Sequence, residues 1–223
     1  MKLPRGKWTD WLAGITVAAF LLVWLGRQTD MAALVGGFIP LRVGEPALFG
    51  ELGGPVNVVP VFLTPLSATF IHASWLHITF NMLMLLFCGR HVEHVLGGKL
   101  TLLLYALGAY AAAAAQWAMD PMSTNPMIGA SGGISALLGT YALLYSQQKV
   151  RAFGPLSANV MRVLWLAAGW IAIQLMIGLA TRGQGGDFGN IAIAAHIGGF
   201  IAGLVLTRPL LLLRFRRKSA AVH

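Results

Sequence analysis

The sequence predicts an all-α protein that crosses a membrane several times. Hydrophobic residues make up 57% of the 223-residue chain, whereas charged residues make up only 10%. A soluble domain usually keeps about a quarter of its residues charged. The mean hydropathy is +0.72, and long apolar segments recur between short polar turns. Because so few charges cannot cover a surface in water, the composition indicates a polytopic membrane protein.

Six apolar segments are predicted to span the membrane, since a helix needs about 17 to 25 mainly apolar residues to cross the hydrocarbon core. They cover residues 11–25, 72–88, 100–119, 131–146, 160–180 and 188–206, and the apolar sequence of the sixth continues to Leu213. The first segment follows a short basic stretch, as in a signal peptide. No small-x-small cleavage site follows it, so we expect it to remain as the first span.

Residues 29–69 connect the first two spans and contain too many glycines and prolines for one continuous helix. The segment is nevertheless apolar, which suits a loop lying at the membrane interface. An ordinary packed loop on the outer surface explains the same composition equally well. The sequence leaves both interpretations open.

Lysine and arginine are distributed unevenly between the two sides of the predicted bundle. The terminal segments and even-numbered turns, with the adjoining span ends, carry thirteen of these residues, and the odd-numbered turns carry three. Because basic residues favour the cytoplasmic side, both termini are predicted to be cytoplasmic and Ser131 to lie near the outer face. The net charge of +9 is explained by this orientation signal, so no nucleic-acid partner is expected.

The sequence contains no internal repeat or low-complexity block, and we therefore predict one domain over residues 1–223. Cys88 is the only cysteine, which excludes an internal disulfide.

The stretch Gly129-Ala-Ser-Gly-Gly places the hydroxyl of Ser131 between glycines at the start of the fourth predicted span. Ser135 and Gly139 follow at four-residue spacing and give this helix one small face. A matching small face in the last span contains Gly189, Ala192, His196, Gly199 and Gly203. Small faces let helices approach closely in a membrane. We therefore expect Ser131 and His196 to meet at hydrogen-bond distance, as a nucleophile and its base do.

A serine and a histidine on such faces can also form a purely structural hydrogen bond between two helices. The glycines around Ser131 favour a chemical role, because they leave backbone N–H groups at the helix start available to an oxyanion. No aspartate or glutamate lies inside a predicted span. A Ser-His dyad is therefore expected rather than a triad.

Polar residues are costly in a span, and the second predicted span contains His72, His77 and Asn81. We expect His72 at the helix start, level with Ser131. Either His72 and Asn81 donate to a developing oxyanion or they only fix contacts between helices, and the residues alone leave both roles open. His77 has no evident reacting partner and is interpreted as structural. The pair His91 and His94 lacks the spacing of the zinc-protease motif.

In combination, these motifs resemble the rhomboid family of intramembrane serine proteases over roughly residues 64–203. Each motif alone is weak, but four of them in the family's order are specific. The matches are His72-x4-His77-x3-Asn81, Gly89-x3-Glu93-x3-Gly97, Gly129-x-Ser131-Gly132 and Ala195-His196-x2-Gly199-x3-Gly203.

The resemblance implies a six-helix rhomboid-like bundle that acts as a serine endopeptidase. Its substrates would be transmembrane segments of other membrane proteins, cut near their outer ends. Ser131 would be the nucleophile, His196 the general base, and His72, Asn81 and the Ser131 backbone N–H the oxyanion hole. His77, Gly129, Gly132, Gly199 and Gly203 would support the site, and no metal or other cofactor would be required. We expect a multi-pass protein of the bacterial inner membrane, and the sequence does not specify its oligomeric state.

Two positions depart from the family pattern. Members often carry an aromatic residue four positions after the serine, stacked on the base histidine, where this chain has Ser135. His196 must therefore be held in another way. The Trp-Arg pair of the first loop in some members is missing, and residues 38–42 are the nearest feature.

Two other functions fit a bundle of this kind. A non-catalytic rhomboid-like chaperone would hold membrane-protein clients without cutting them, although such proteins usually lack the serine or the histidine. A small-solute transporter would carry solute flux in reconstituted vesicles and would not react with a serine-directed probe.

Overall fold

The computed structural model of the chain describes residues 3–55, 59–145, 154–158, 160–161, 163–165, 168–170 and 193–220. Helices form the fold throughout these residues, as the sequence predicts, and one isolated antiparallel bridge joins Phe38 to Met127. The predicted turn at 181–187 and much of the fifth predicted span lie outside the described residues.

Ten helices can be numbered along the described part of the chain. They are α1 Lys7–Leu25, α2 Thr29–Gly36, α3 Leu41–Gly44, α4 Pro46–Glu51, α5 Thr64–Ser67, α6 Trp75–Met84, α7 Arg90–Leu96, α8 Gly98–Met119, α9 Ser131–Tyr145 and α10 Ile193–Ala220. The 3₁₀ turns Val61–Leu63 and Ala68–Phe70 flank α5, and the π-helical turn Leu85–Gly89 joins α6 to α7. Further helical residues occur between 158 and 170.

Among the described residues, three helices are long and apolar enough to cross a membrane: α1, α8, and α10 over Ile193–Arg216. A fourth candidate is the pair Val61–Phe70 and Trp75–Leu96, which is bent by 92° at its break. The count of six spans and the cytoplasmic termini stay predictions.

The second predicted span differs from its expected bounds at both ends. Its helix begins at Trp75, where the side chain of Ser74 accepts a hydrogen bond from the His77 backbone N–H (3.2 Å). Serine at this position supplies a partner for a free N–H group of the first turn. The turn predicted at 89–99 is wrong, because the helix continues to Leu96 and the chain turns only at Gly97, whose φ is +78°. Glycine adopts this conformation without the steric cost of a Cβ.

Helix α9 lies at the centre of the fold. Its buried residues include Ser131, Ile134, Ser135 and Leu137, and it packs against both α8 and α10. Small residues permit these contacts, since a Cβ added at Gly108 of α8 would collide with the Cβ of Ala136. The start of α9 is thereby enclosed by neighbouring helices.

The connection between α1 and α6 forms a compact unit of short helices. Ile39, Leu41 and Phe49 make a small buried cluster within it. The Arg42 guanidinium donates to the Val59 carbonyl oxygen (2.7 Å), lies over the Phe49 ring, and has its pKa lowered by burial. The sequence correctly excludes one continuous helix here, and both of its interpretations of the loop's position stay open.

Candidate active site

Ser131 and His196 meet at the interface of α9 and α10. The distance from His196 Nε2 to Ser131 Oγ is 2.8 Å, and the two side chains are 8% and 5% exposed. The hydrogen bond joins residues 65 positions apart. A buried hydroxyl on an imidazole nitrogen is the geometry that nucleophilic catalysis by serine requires.

The close approach of α9 and α10 is set by glycines on the small faces that the sequence predicts. A Cβ at Gly199 would collide with the carbonyl oxygen of Gly132, and one at Gly203 would collide with that of Ala136. Thr140 donates to the Gly203 carbonyl oxygen (3.2 Å) and so adds a bond across the same interface. Backbone contact of this kind fixes the distance between Ser131 and His196.

His72 lies between the second 3₁₀ turn and α6, and its side chain is buried. Its Nε2 accepts a hydrogen bond from the backbone N–H of Ala130 (3.3 Å), directly before Ser131. This hydrogen bond places His72 beside the start of α9, next to Ser131. In this arrangement Nε2 is an acceptor, so donation to an oxyanion would require His72 to exchange this bond or to use Nδ1.

Asn81 is buried on α6, a helix that packs against α9. Its Nδ2 donates to the His77 carbonyl oxygen (2.9 Å), and its Oδ1 has no partner among the described residues. An amide nitrogen carries two protons, so Asn81 has a second N–H to offer. No hydrogen bond joins Asn81 to Ser131 within the described residues.

His77 contacts the backbone at Gly129, two residues before Ser131. The φ of Gly129 is +111°, and a Cβ added there would lie 2.6 Å from His77 Nε2. The Gly129 N–H donates to the Ala68 carbonyl oxygen (2.8 Å). Glycine is needed at this position for both its conformation and its space. This placement agrees with a structural role for His77.

Ser135 and Trp170 form a second polar group beside the pair. The Trp170 indole N–H donates to Ser135 Oγ (2.8 Å), and Ser135 Oγ donates to the Ser131 carbonyl oxygen (2.8 Å). The rings of Trp170 and His196 lie 6.2 Å apart at their centroids, with their planes inclined by 71°. Sequence analysis missed Trp170, although a tryptophan inside a predicted span, away from the interfacial belt, is an available signal.

The Nδ1 atom of His196 has no hydrogen-bond partner in the part of the chain that the structure describes. Over the same residues, no three His, Cys, Asp or Glu side chains are grouped closely enough to hold a metal ion.

Comparison with known proteins decides the family. The sequence model of the rhomboid domain matches residues 61–213, which include every residue of the site. The chain belongs to the rhomboid family. With its long apolar helices, it is an integral membrane protein.

Individual relatives agree with this assignment. The chain is 34% identical over 142 residues to the rhomboid protease GlpG of Serratia proteamaculans, an alignment that covers 63% of this chain and 45% of that protein. It is 32% identical over 169 residues to GlpG of Yersinia pestis, covering 74% and 55%. It is 29% identical over 142 residues to Rhomboid-related protein 2 of Mus musculus, covering 62% and 45%. This rhomboid chain thus spans about half of the length of the curated relatives it matches.

Proposed function

We propose that this rhomboid chain is an intramembrane serine endopeptidase, with Ser131 as nucleophile and His196 as general base. The observation that carries the proposal is the buried 2.8 Å contact between Ser131 Oγ and His196 Nε2. A hydroxyl is a weak nucleophile until a base removes its proton. The bacterial relatives are named rhomboid proteases, which supports the same activity.

The reaction begins with His196 neutral, its proton on Nδ1 and its Nε2 free to accept. Ser131 Oγ bonds to the scissile carbonyl carbon while its proton passes to Nε2. The C–N bond then breaks, and the amine leaves with the proton from Nε2, so that an ester remains on Ser131. Water then attacks the ester carbon while one of its protons passes to His196 Nε2. The bond between the acyl carbon and Ser131 Oγ breaks, Oγ takes the proton back from Nε2, and the product leaves as a carboxylic acid.

The oxyanion formed in both steps needs hydrogen-bond donors. The first N–H groups of α9 have no partner within their own helix, and the Ser131 N–H is one of them. The second N–H of Asn81 is a further donor, and His72 becomes one if it releases the Ala130 N–H. Each such donor typically contributes about 3 kcal/mol to transition-state stabilisation.

The position of the pair in an apolar helical bundle supports a proposal for the substrate class. We propose that the substrates are transmembrane segments of other membrane proteins, presented from the bilayer and cut near their outer ends. The proposal includes a single domain, six spans, cytoplasmic termini and a bacterial inner-membrane location. Only a locally unwound segment exposes a peptide carbonyl to Ser131, because helical carbonyls are already hydrogen-bonded.

The decisive experiment combines cleavage of a model membrane substrate with labelling by a fluorophosphonate, a reagent that reacts with activated serines. Ser131→Ala and His196→Ala should each lower cleavage by several orders of magnitude and abolish labelling. Ser123→Ala and His94→Ala are matched controls, because they remove the same types of side chain away from the site. Both should leave cleavage and labelling unchanged.

Cleavage by Ser131→Ala at the wild-type rate would refute the proposal. Stable binding of membrane clients without labelling or cleavage would instead identify a rhomboid-like chaperone.

A further inference from the structure

Trp170 lies beside the Ser131–His196 pair, and neither the sequence motifs nor the family match gives it a role. We propose that Trp170 is a positioning residue that holds the His196 imidazole against Ser131, with Ser135 fixing the indole in place. The inference rests on the proposed function, because a held base matters only if His196 acts as one.

His196 needs support of this kind from its surroundings. Its Nε2 bonds to Ser131, and its Nδ1 has no partner among the described residues. Among the described residues, one hydrogen bond at one nitrogen holds the ring, and a ring held in this way can turn about its side-chain torsions and lose that bond. The neighbouring groups must therefore restrict its rotation.

Trp170 is placed to do this. Its side chain is 2% exposed, and its ring meets the imidazole edge to face, with centroids 6.2 Å apart and planes inclined by 71°. Aromatic pairs favour this arrangement at centroid separations of about 4.5 to 7 Å. A bulky indole on one side of the imidazole leaves it less room to rotate away from Ser131.

The indole is itself fixed by two hydrogen bonds in series. Trp170 Nε1 donates to Ser135 Oγ, and Ser135 Oγ donates to the carbonyl oxygen of Ser131, each at 2.8 Å. Ser135 is completely buried, so water does not compete for these bonds. These two hydrogen bonds link the indole, which packs against His196, to the backbone of Ser131. They therefore hold the base and the nucleophile in a fixed relative position.

The chain also offers variants that separate this role from simple packing. Trp170→Phe keeps an aromatic ring and removes the donor. Ser135→Ala removes the acceptor, a single oxygen atom. Trp165→Phe makes the same change on the same segment at a side chain that is 66% exposed, and serves as the matched control.

The test measures the rate of fluorophosphonate labelling of Ser131 in the full chain, together with the final labelled fraction. Trp170→Phe and Ser135→Ala should each slow labelling about tenfold, since small displacements of a reacting group carry costs of this size. The double variant should be no slower than the slower single variant, because both changes break the same bond. With a membrane substrate, kcat should fall and KM should stay the same, and Trp165→Phe should match the wild type.

A merely structural Trp170 gives a different result, in which the final labelled fraction falls while the rate for the remaining protein is unchanged. That outcome, or equal rates in all variants, overturns the inference and leaves the proposed function intact. Should Trp170→Phe fold poorly, Ser135→Ala provides the same comparison. If labelling of the wild type does not depend on Ser131, the proposed function fails and the inference fails with it.

Discussion

Glu93 accepts three hydrogen bonds from the start of α1, which lies more than 80 residues away in the sequence. Its carboxylate binds the Trp8 N–H (3.1 Å), the Thr9 N–H (2.8 Å) and the Thr9 hydroxyl (2.7 Å). The residue before this helix is Gly6, which has no side chain to cap it, and a Cβ there would lie 2.7 Å from Arg90 Cγ. Glu93 therefore provides from α7 the cap that α1 cannot provide for itself.

Replacing Glu93 should consequently destabilise the protein. We expect Glu93→Ala to lower the free energy of unfolding by about 2–3 kcal/mol, because hydrogen bonds to a charged group contribute about 1.5–3 kcal/mol. Glu93→Gln, which retains an acceptor oxygen, should cost less. The measurement is denaturant-induced unfolding in detergent micelles.

Asp10→Ala is the control for this prediction, since it removes the partly exposed 2.7 Å ion pair between Asp10 and Arg90. Exposed ion pairs contribute about 1 kcal/mol or less. If Glu93→Ala and Asp10→Ala lowered the free energy of unfolding equally, the cap on α1 would contribute no more than an exposed ion pair, and the prediction would be wrong.

At the scale of elements, the packing of α9 on α10 couples stability to the candidate chemistry. Gly199 lies between the two helices, against the Gly132 carbonyl oxygen, and a Cβ added to it would also come within 3.1 Å of Ser135 Cβ. An added methyl group at this contact must push the helices apart, because backbone atoms cannot rotate away as a side chain can.

Gly199→Ala should therefore reduce stability and cleavage together. Overpacking costs about 1–3 kcal/mol of stability, and a displacement of about 1 Å between nucleophile and base lowers the rate by up to about 100-fold. Cleavage assays and thermal unfolding of the same preparations provide the measurement. Gly14→Ala in α1 is the matched control, since no atom lies within 4 Å of its added Cβ. It should leave cleavage unchanged and should not lower stability, because alanine favours a helix by up to about 1 kcal/mol over glycine. Wild-type cleavage by Gly199→Ala would contradict this account of the interface.

The connection between α1 and α6 is a second element with a bearing on the site. Phe38 and Met127 exchange two backbone hydrogen bonds (3.0 and 2.8 Å), and the Leu41 N–H donates to the Ser123 carbonyl oxygen (3.0 Å). Residues 120–130 lead directly into Ser131. The connection thus holds the segment that sets the start of α9.

At the scale of the whole molecule, the sequence predicts those features that repeat along one helix. The spacing of Ser131, Ser135 and Gly139, and of His196, Gly199 and Gly203, is periodic, so the two small faces and their contact follow from it. The meeting of Trp170 with Ser135 depends on how three segments assemble, and no local pattern carries that information. The long-range cap from Glu93 to α1 is of the same kind, as are the ties between residues 38 and 127.

The break before α6 was only partly predictable. The sequence predicts His72 at a helix start, whereas the 92° bend between the two parts of the candidate span has no local pattern to indicate it. On the first of these parts, the Ala68 carbonyl oxygen accepts a hydrogen bond from the distant Gly129 N–H. The sequence does not indicate that helical structure continues from Met84 to Leu96, because a glycine and charged residues in this stretch favour a turn. The charges are instead used within the fold, where Glu93 and Arg90 both contact the start of α1.

The orientation of the chain is the last prediction and concerns the molecule as a whole. With the six spans that the apolar segments predict, thirteen basic residues on one side against three on the other predict that both ends of the chain lie in the cytoplasm. Helix α1, with 19 residues, extends over about 28 Å, close to the thickness of the hydrocarbon core.

In a Cys88→Ala background, a membrane-impermeant maleimide applied to intact cells or spheroplasts should label Thr124→Cys, which precedes α9. It should label Lys7→Cys and Arg216→Cys only after the membrane is opened. Wild-type Cys88, which is completely buried, should stay unlabelled in both conditions and serves as the control. Labelling of Lys7→Cys and Arg216→Cys from opposite sides would mean an odd number of spans, and labelling of Thr124→Cys only from the inside would place Ser131 at the cytoplasmic face, since α9 begins seven residues later.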